Sequence, residues 1–218
     1  MTDHLAAPDA ELLIAPGCPH CPSVLGGLAD LVKQGKLGRL SVINLELHPG
    51  EGEARGARAV PWIRIGPFEL TGAHRPAELA DWAERAGSPA GRRSYLEQQL
   101  ADGELDQVVS VCRREPAMLA PLIDLAGDLE TPFAVRIGVG AVLEELSPDG
   151  LLTPLSPTVR DIMANSEHPS VRADAAHFLA LTQAESARGP LRSLLEDDDA
   201  SVREIARESL EALDEALQ

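Results

Sequence analysis

Apolar positions along the chain follow two different rhythms, and the change falls near residue 88. Glu11 to Ala15 is a short apolar run that reads as a buried strand. Cys18 to Gly35 follows with apolar residues at Val24, Leu25, Leu28, Leu31 and Val32, the spacing of one helix face. Leu40 to Leu45 is a second strand, and a helical segment between two strands predicts parallel neighbours joined by a right-handed crossover. Pro49 to Arg58 reads as a weak helix. Trp62–Ile65 and Phe68–Thr71 are short runs around Gly66-Pro67 and predict a hairpin, and Pro76 to Ala86 predicts a helix with proline in its first turn. Gly87 to Arg93, G-S-P-A-G-R-R, reads as a linker, which gives an α/β domain over 1–87, a linker over 88–93 and an α-helical domain over 94–218.

The second domain repeats itself. A-V-R-I-G-V-G-A-V-L-E-E-L from Ala134, S-V-R-A-D-A-A-H-F-L-A-L from Ser170 and S-V-R-E-I-A-R-E-S-L-E-A-L from Ser201 align on their Val-Arg pairs. Four residues after each Val stands Val139, Ala175 or Ala206, and eight after stands Leu143, Leu179 or Leu210, all on one helix face. A shorter helix precedes each segment, so the unit is a helix pair of the length that stacks into a solenoid. The pattern resembles degenerate HEAT repeats over roughly residues 104 to 216, closely in the last two units and loosely in the first. The resemblance implies a surface for protein partners. Arg136, Arg172 and Arg203 are expected to orient neighbouring repeats rather than bind a ligand, and Asp197 to Asp199 to form a solvated turn and helix cap.

Composition narrows the function. Aromatic residues make up 3% of the chain, which favours close-packed helices over a β-sandwich. The net charge is −16, with 8 basic and 11 acidic residues in 1–87 against 11 and 24 in 88–218, so phosphate backbones are poor partners and no nucleic acid is expected. The first ten residues carry no basic region and no long apolar stretch, so a cytoplasmic location is expected. No segment approaches the roughly 20 apolar residues of a membrane helix, and no membrane partner is expected.

Cys18 and Cys21, in P-G-C-P-H-C-P, carry the candidate chemistry. In a reducing compartment such a pair is redox-active, a metal site or a structural crosslink. Cys18 is expected at the N-cap or first turn of the helix, where unpaired N–H groups and the helix dipole favour a thiolate and His20 adds positive charge. Three residues on, Cys21 can attack a mixed disulfide formed by Cys18. Pro19 and Pro22 fit a first turn, where a missing N–H costs little. Cys112, in V-V-S-V-C-R-R, reads as a small buried hydrophobe.

Residues 9 to 87 resemble a thioredoxin-fold protein, on the C-x-x-C after the first strand, N-L-E-L-H-P-G after the second, and Val60-Pro61 opening the hairpin. The resemblance implies a cis Pro61, substrate pairing with the Val60 backbone, and approach of substrate beside Gly72. Trp62 is expected either in the substrate groove or in the hairpin core. Two departures matter. Where the family carries a buried acid and a neighbouring lysine, this chain has Leu12 and Val42, so deprotonation of Cys21 falls to His20, Glu46 or water. The Pro19-His20 dipeptide is shared with strongly oxidising members. The expectation is a thiol-disulfide oxidoreductase acting on a partner protein with a disulfide or reactive thiol, needing no cofactor and recharged by a reductase or thiol system. The alternative is an adaptor protein whose C-x-x-C is a redox switch or a sulfur- or metal-handling site.

Overall fold

The computed structural model describes residues 7–218; residues 1–6, part of the ten on which the expected location rests, lie outside the described residues. The chain divides into two compact units between Arg92 and Arg93.

The first unit is a mixed α/β sheet with helices. Its strands are β1 (Ala10–Ile14), β2 (Leu40–Asn44), β3 (Trp62–Ile65) and β4 (Phe68–Thr71), in the order β2-β1-β3-β4. β1 and β2 are parallel, as the intervening helix α1 (Cys21–Lys33) requires, while β3 is antiparallel to both β1 and β4. The hairpin strands coincide with the two runs read from the sequence. Helices α2 (Gly50–Ala54) and α3 (Pro76–Ala86) follow β2 and β4. Val24, Leu28 and Leu31 of α1 and Leu79, Ala83 and Ala86 of α3 are buried, and the two helices lie against each other and against the strands. Gly27 lets them approach: a Cβ there would stand 3.1 Å from Leu79 Cδ1. Phe68 packs edge-on against Trp82 with ring centroids 5.4 Å apart.

Side chains alternate across a strand, so Glu11 projects to the face opposite Leu12. There Arg55, at the end of α2, donates two hydrogen bonds to its carboxylate at 2.8 and 2.9 Å, and Arg64, its register partner on β3, donates a third at 2.7 Å. Arg55 also bonds Glu51, so this network ties α2 to the centre of the sheet. The guanidinium at Arg55 first, then burial and Arg64, set the Glu11 pKa, with the net direction downward.

Two expectations need correction. The stretch 88–93 is not a loop: helix α4 runs Pro89–Ala101, and the division between the units falls within it. Ser88 Oγ accepts the Gly91 N–H at 3.1 Å as an N-cap, and Pro89 takes the first helical position. S-P-A-G is thus a helix start. The first helix begins at Cys21 rather than Cys18, with His20 as its N-cap.

The second unit is helical, with α5 (Leu105–Arg114), α6 (Leu119–Gly127), α7 (Phe133–Leu146), α8 (Ser156–Val159, continued by a π-helical turn Arg160–Ala164), α9 (Pro169–Leu181), α10 (Arg188–Leu194) and α11 (Ala200–Ala216). α7 packs on α9 and α9 on α11, and the aligned Val, Ala and Leu positions are buried except the half-buried Leu210. Arg136 donates to Asp174 on α9 at 2.9 Å, and Arg172 forms a two-pronged pair with Asp197 at 2.7 and 2.8 Å, so both reach into the next repeat as expected. Arg203 instead bonds the carbonyls of Asp197 and Asp198. Asp199 caps α11 as expected, but Asp197 is not solvated, because Arg172 covers it and leaves its side chain 8% exposed. Cys112 is fully buried. Among the described residues no helix is long and apolar enough to cross a membrane.

Candidate functional site

β1 ends at Ile14 and the chain turns through Ala15-Pro16-Gly17, where Gly17 adopts φ 77°, a left-handed conformation open to glycine at little cost. The Cys18 N–H donates to the Ala15 carbonyl at 3.3 Å and closes this turn. Cys18, Pro19 and His20 lead into α1, whose first i to i+4 bond runs from the Val24 N–H to the His20 carbonyl at 3.2 Å. Cys18 therefore precedes the helix by three residues. Its sulfur still reaches the helix end, because the Cys21 N–H donates to Cys18 Sγ at 3.2 Å. No side-chain oxygen caps α1, so this sulfur takes a place that a Ser or Asp commonly fills.

The two cysteines form a disulfide with Cα atoms 5.5 Å apart. Their surroundings differ. Cys18 is half-buried beside the exposed Pro19 and His20, whereas Cys21 is 5% exposed. The first cysteine is thus partly open to solvent and the second is not.

The other candidate residues gather at the same end of the sheet. Leu13 pairs with Trp62, so the antiparallel register carries Pro61 to the end of β1 from which the cysteine loop leaves. The Val60-Pro61 bond is cis, and the Pro61 carbonyl accepts the Gly72 N–H at 2.8 Å, which fixes the start of β3 to the end of β4. Gly72 has φ 93°. Trp62 is 3% exposed, with the Arg64 guanidinium 5.9 Å from its ring, so its side chain belongs to the hairpin core. Glu46 is exposed, and its N–H bonds the Asn44 side chain. Leu12 and Val42 are direct cross-strand partners, so the strand positions expected to lack an acid–lysine pair do sit side by side.

The loop after Gly72 adds residues that sequence reasoning passed over. His20, Ser23 and Val24 at the start of α1, with His74, Arg75 and Pro76, line a cavity of about 180 Å³. His74 Nδ1 lies 3.5 Å from Glu78 Oε2, while His74 Nε2 is buried without a partner. Glu78 also accepts the Arg75 N–H at 3.1 Å and Arg75 Nε at 2.7 Å. Their position between Gly72 and the proline that opens α3 was the available signal. Among the described residues no three His, Cys, Asp or Glu side chains gather as a metal would require.

Comparison with known families adds to the helical unit alone. The family model for HEAT repeats matches residues 156–217, and no curated protein matches the chain. The matched span holds the two segments in which the Val-Arg register is closest, from Ser170 and from Ser201.

Proposed function

We propose that the first unit is a thioredoxin-like thiol-disulfide oxidoreductase and that the helical repeats dock the protein it acts on. The observation that carries this reading is the asymmetry of the pair: a half-buried Cys18 whose sulfur is held by a helix-end N–H, disulfide-bonded to a buried Cys21. The strand order, the parallel β1–β2 pair and a proline loop at the same sheet end support the thioredoxin-like assignment.

In the reduced protein the Cys18 thiolate, favoured by the Cys21 N–H and the α1 terminus, attacks one sulfur of a partner disulfide. The Cys18–partner bond forms, the partner S–S bond breaks, and one partner sulfur leaves as a thiolate. Deprotonated Cys21 then attacks Cys18 Sγ and expels the second partner thiolate. Two electrons pass to the partner, and the Cys18–Cys21 disulfide remains until a cellular thiol or reductase restores it. Val60, Pro61 and Gly72 would position the partner chain.

Insulin reduction with dithiothreitol as electron donor tests the proposal. Wild type accelerates the reaction, Cys18→Ser abolishes the acceleration, and reduced Cys21→Ser mixed with insulin after the dithiothreitol is removed accumulates a disulfide-linked adduct at Cys18. An absence of both acceleration and adduct overturns the enzyme reading. The family match lies only in the repeats, which favours a second reading: an adaptor whose Cys18–Cys21 bond is a switch. In that case partner binding changes with the redox state while insulin reduction stays at the uncatalysed rate.

A further inference from the structure

We infer that the face formed by α9 and α11 is a docking groove for a basic amphipathic helix of a partner protein. The inference rests on reading the helical repeats as the partner-docking part of the chain.

The groove has a volume of about 580 Å³, with Ala173, Leu181, Ile205 and Ala212 among its apolar lining and Asp174, His177 and Glu208 among its polar lining. Ser147 and Ser209, both buried, close it, and no arginine or lysine lines it. Such a volume admits side chains rather than a whole helix, so the occupant lies across the groove with one apolar side inserted. Small residues let its backbone come close.

The lining extends beyond this pocket. In the Val-Arg register Ile137 of α7 is equivalent to Ala173, and Ala141 is equivalent to both His177 and Glu208. Ile137 is 57% exposed and Phe133, one turn earlier, 74% exposed. His177 Nε2 meets Glu144 Oε1 at 3.0 Å, which bridges α7 to the groove. On α7 these two positions are apolar, exposed at Ile137 and half-buried at Ala141, and on α11 they carry Glu204 and Glu208, so the surface passes from an apolar end to an acidic one.

Charge identifies the occupant. Arg93, Arg113, Arg136, Arg160, Arg172 and Arg188 are all engaged with carboxylates of this unit. Glu204, Glu208, Glu211 and Glu215 have no ion-pair partner among the described residues, and their spacing places them on one stripe of α11. Like charges at that spacing oppose the helix, and one cation on the same helix, Arg207, stands three residues from Glu204 and four from Glu211 against four carboxylates. A partner with Lys or Arg flanking an apolar side neutralises the stripe while filling the groove.

The test uses the full chain and a fluorescein-labelled amphipathic helical peptide of leucine and lysine, read by anisotropy. The peptide is expected to bind, more weakly as salt rises, while a scrambled peptide of the same composition and a leucine–glutamate counterpart do not. Glu208→Lys and Ala212→Trp, both at exposed positions, each weaken binding roughly tenfold, and Glu130→Lys, the same charge change outside the groove, leaves it unaltered. No binding, equal binding of the scrambled peptide, or unchanged binding by both groove variants overturns the inference. A Cys18→Ser/Cys21→Ser chain is expected to bind the peptide as wild type does. Loss of peptide binding with insulin reduction intact would therefore remove the groove and leave the redox reading standing.

Discussion

The backbone N–H of Cys21 lies 3.2 Å from the sulfur of Cys18 and donates to it, so the first sulfur rests on the end of the helix that its partner begins. Cys112 has the opposite setting. It is fully buried, and desolvation pushes its thiol up to about 12. At pH 8 only about one Cys112 in ten thousand is then ionised. After mild reduction, iodoacetamide should label Cys18 first and leave Cys112 untouched until the chain unfolds. Mass spectrometry of digested samples taken over time checks the order, and early labelling of Cys112 contradicts it.

Glu11 accepts three hydrogen bonds from Arg55 and Arg64, and its side chain is 12% exposed. Glu11→Gln removes the charge and leaves two guanidiniums facing a neutral amide. The expected loss is about 2–3 kcal/mol, below that of a fully buried pair because Arg64 is partly solvated. The folded carboxyl titrates below an unfolded glutamate, whose pKa is about 4.3. The network's stability is therefore fully present above that value and fades as pH falls through the lower, folded one. Urea melts between pH 3 and pH 7 should show a steeper acid loss for wild type than for Glu11→Gln.

Gly27 and Gly91 both stand in helices, where alanine is favoured over glycine by about 1 kcal/mol. Their surroundings separate them. A Cβ at Gly27 meets the end of the Leu79 side chain at 3.1 Å, which a small rotation relieves. A Cβ at Gly91 falls 2.4 Å from the Arg85 carbonyl oxygen, and backbone has no such freedom. Gly27→Ala should be close to neutral, and Gly91→Ala destabilising by about 1–3 kcal/mol. Thermal melts of the two variants give the comparison.

Arg172 and Asp197 form the most enclosed of the inter-repeat pairs, with side chains 16% and 8% exposed. The Arg172 guanidinium holds the Asp197 carboxyl below its ordinary range. Either Arg172→Ala or Asp197→Asn should cost about 3 kcal/mol, and the double variant far less than the sum. A double-mutant cycle in urea measures the coupling, and strict additivity would show that the pair does not hold the repeats together.

Local signals carried most of the fold. The runs Trp62–Ile65 and Phe68–Thr71 ended where turn residues ended them, and the strand register placed Leu12 against Val42 as the spacing implied. Repetition made Arg136 and Arg172 legible, since a residue recurring at one register position serves the contact between units. Other features needed the third dimension. Glu11 meets Arg55 and Arg64 across 44 and 53 residues, and nothing near Glu11 in the chain announces them. At Ser88 the same letters write a loop or a helix start, and only the bond from Gly91 to Ser88 Oγ decides. The entry to α1 slipped by three residues because Pro19 and His20 bend before the first helical bond forms.

With hydrocarbon at both Leu12 and Val42, those adjoining strand positions neither bind nor release a proton at any pH. A carboxylic acid at the first of them would couple its own ionisation to the electron count and bend a plot of midpoint potential against pH. This chain has no such coupling at that point, so a turn in the plot would report groups elsewhere, the two sulfurs first among them.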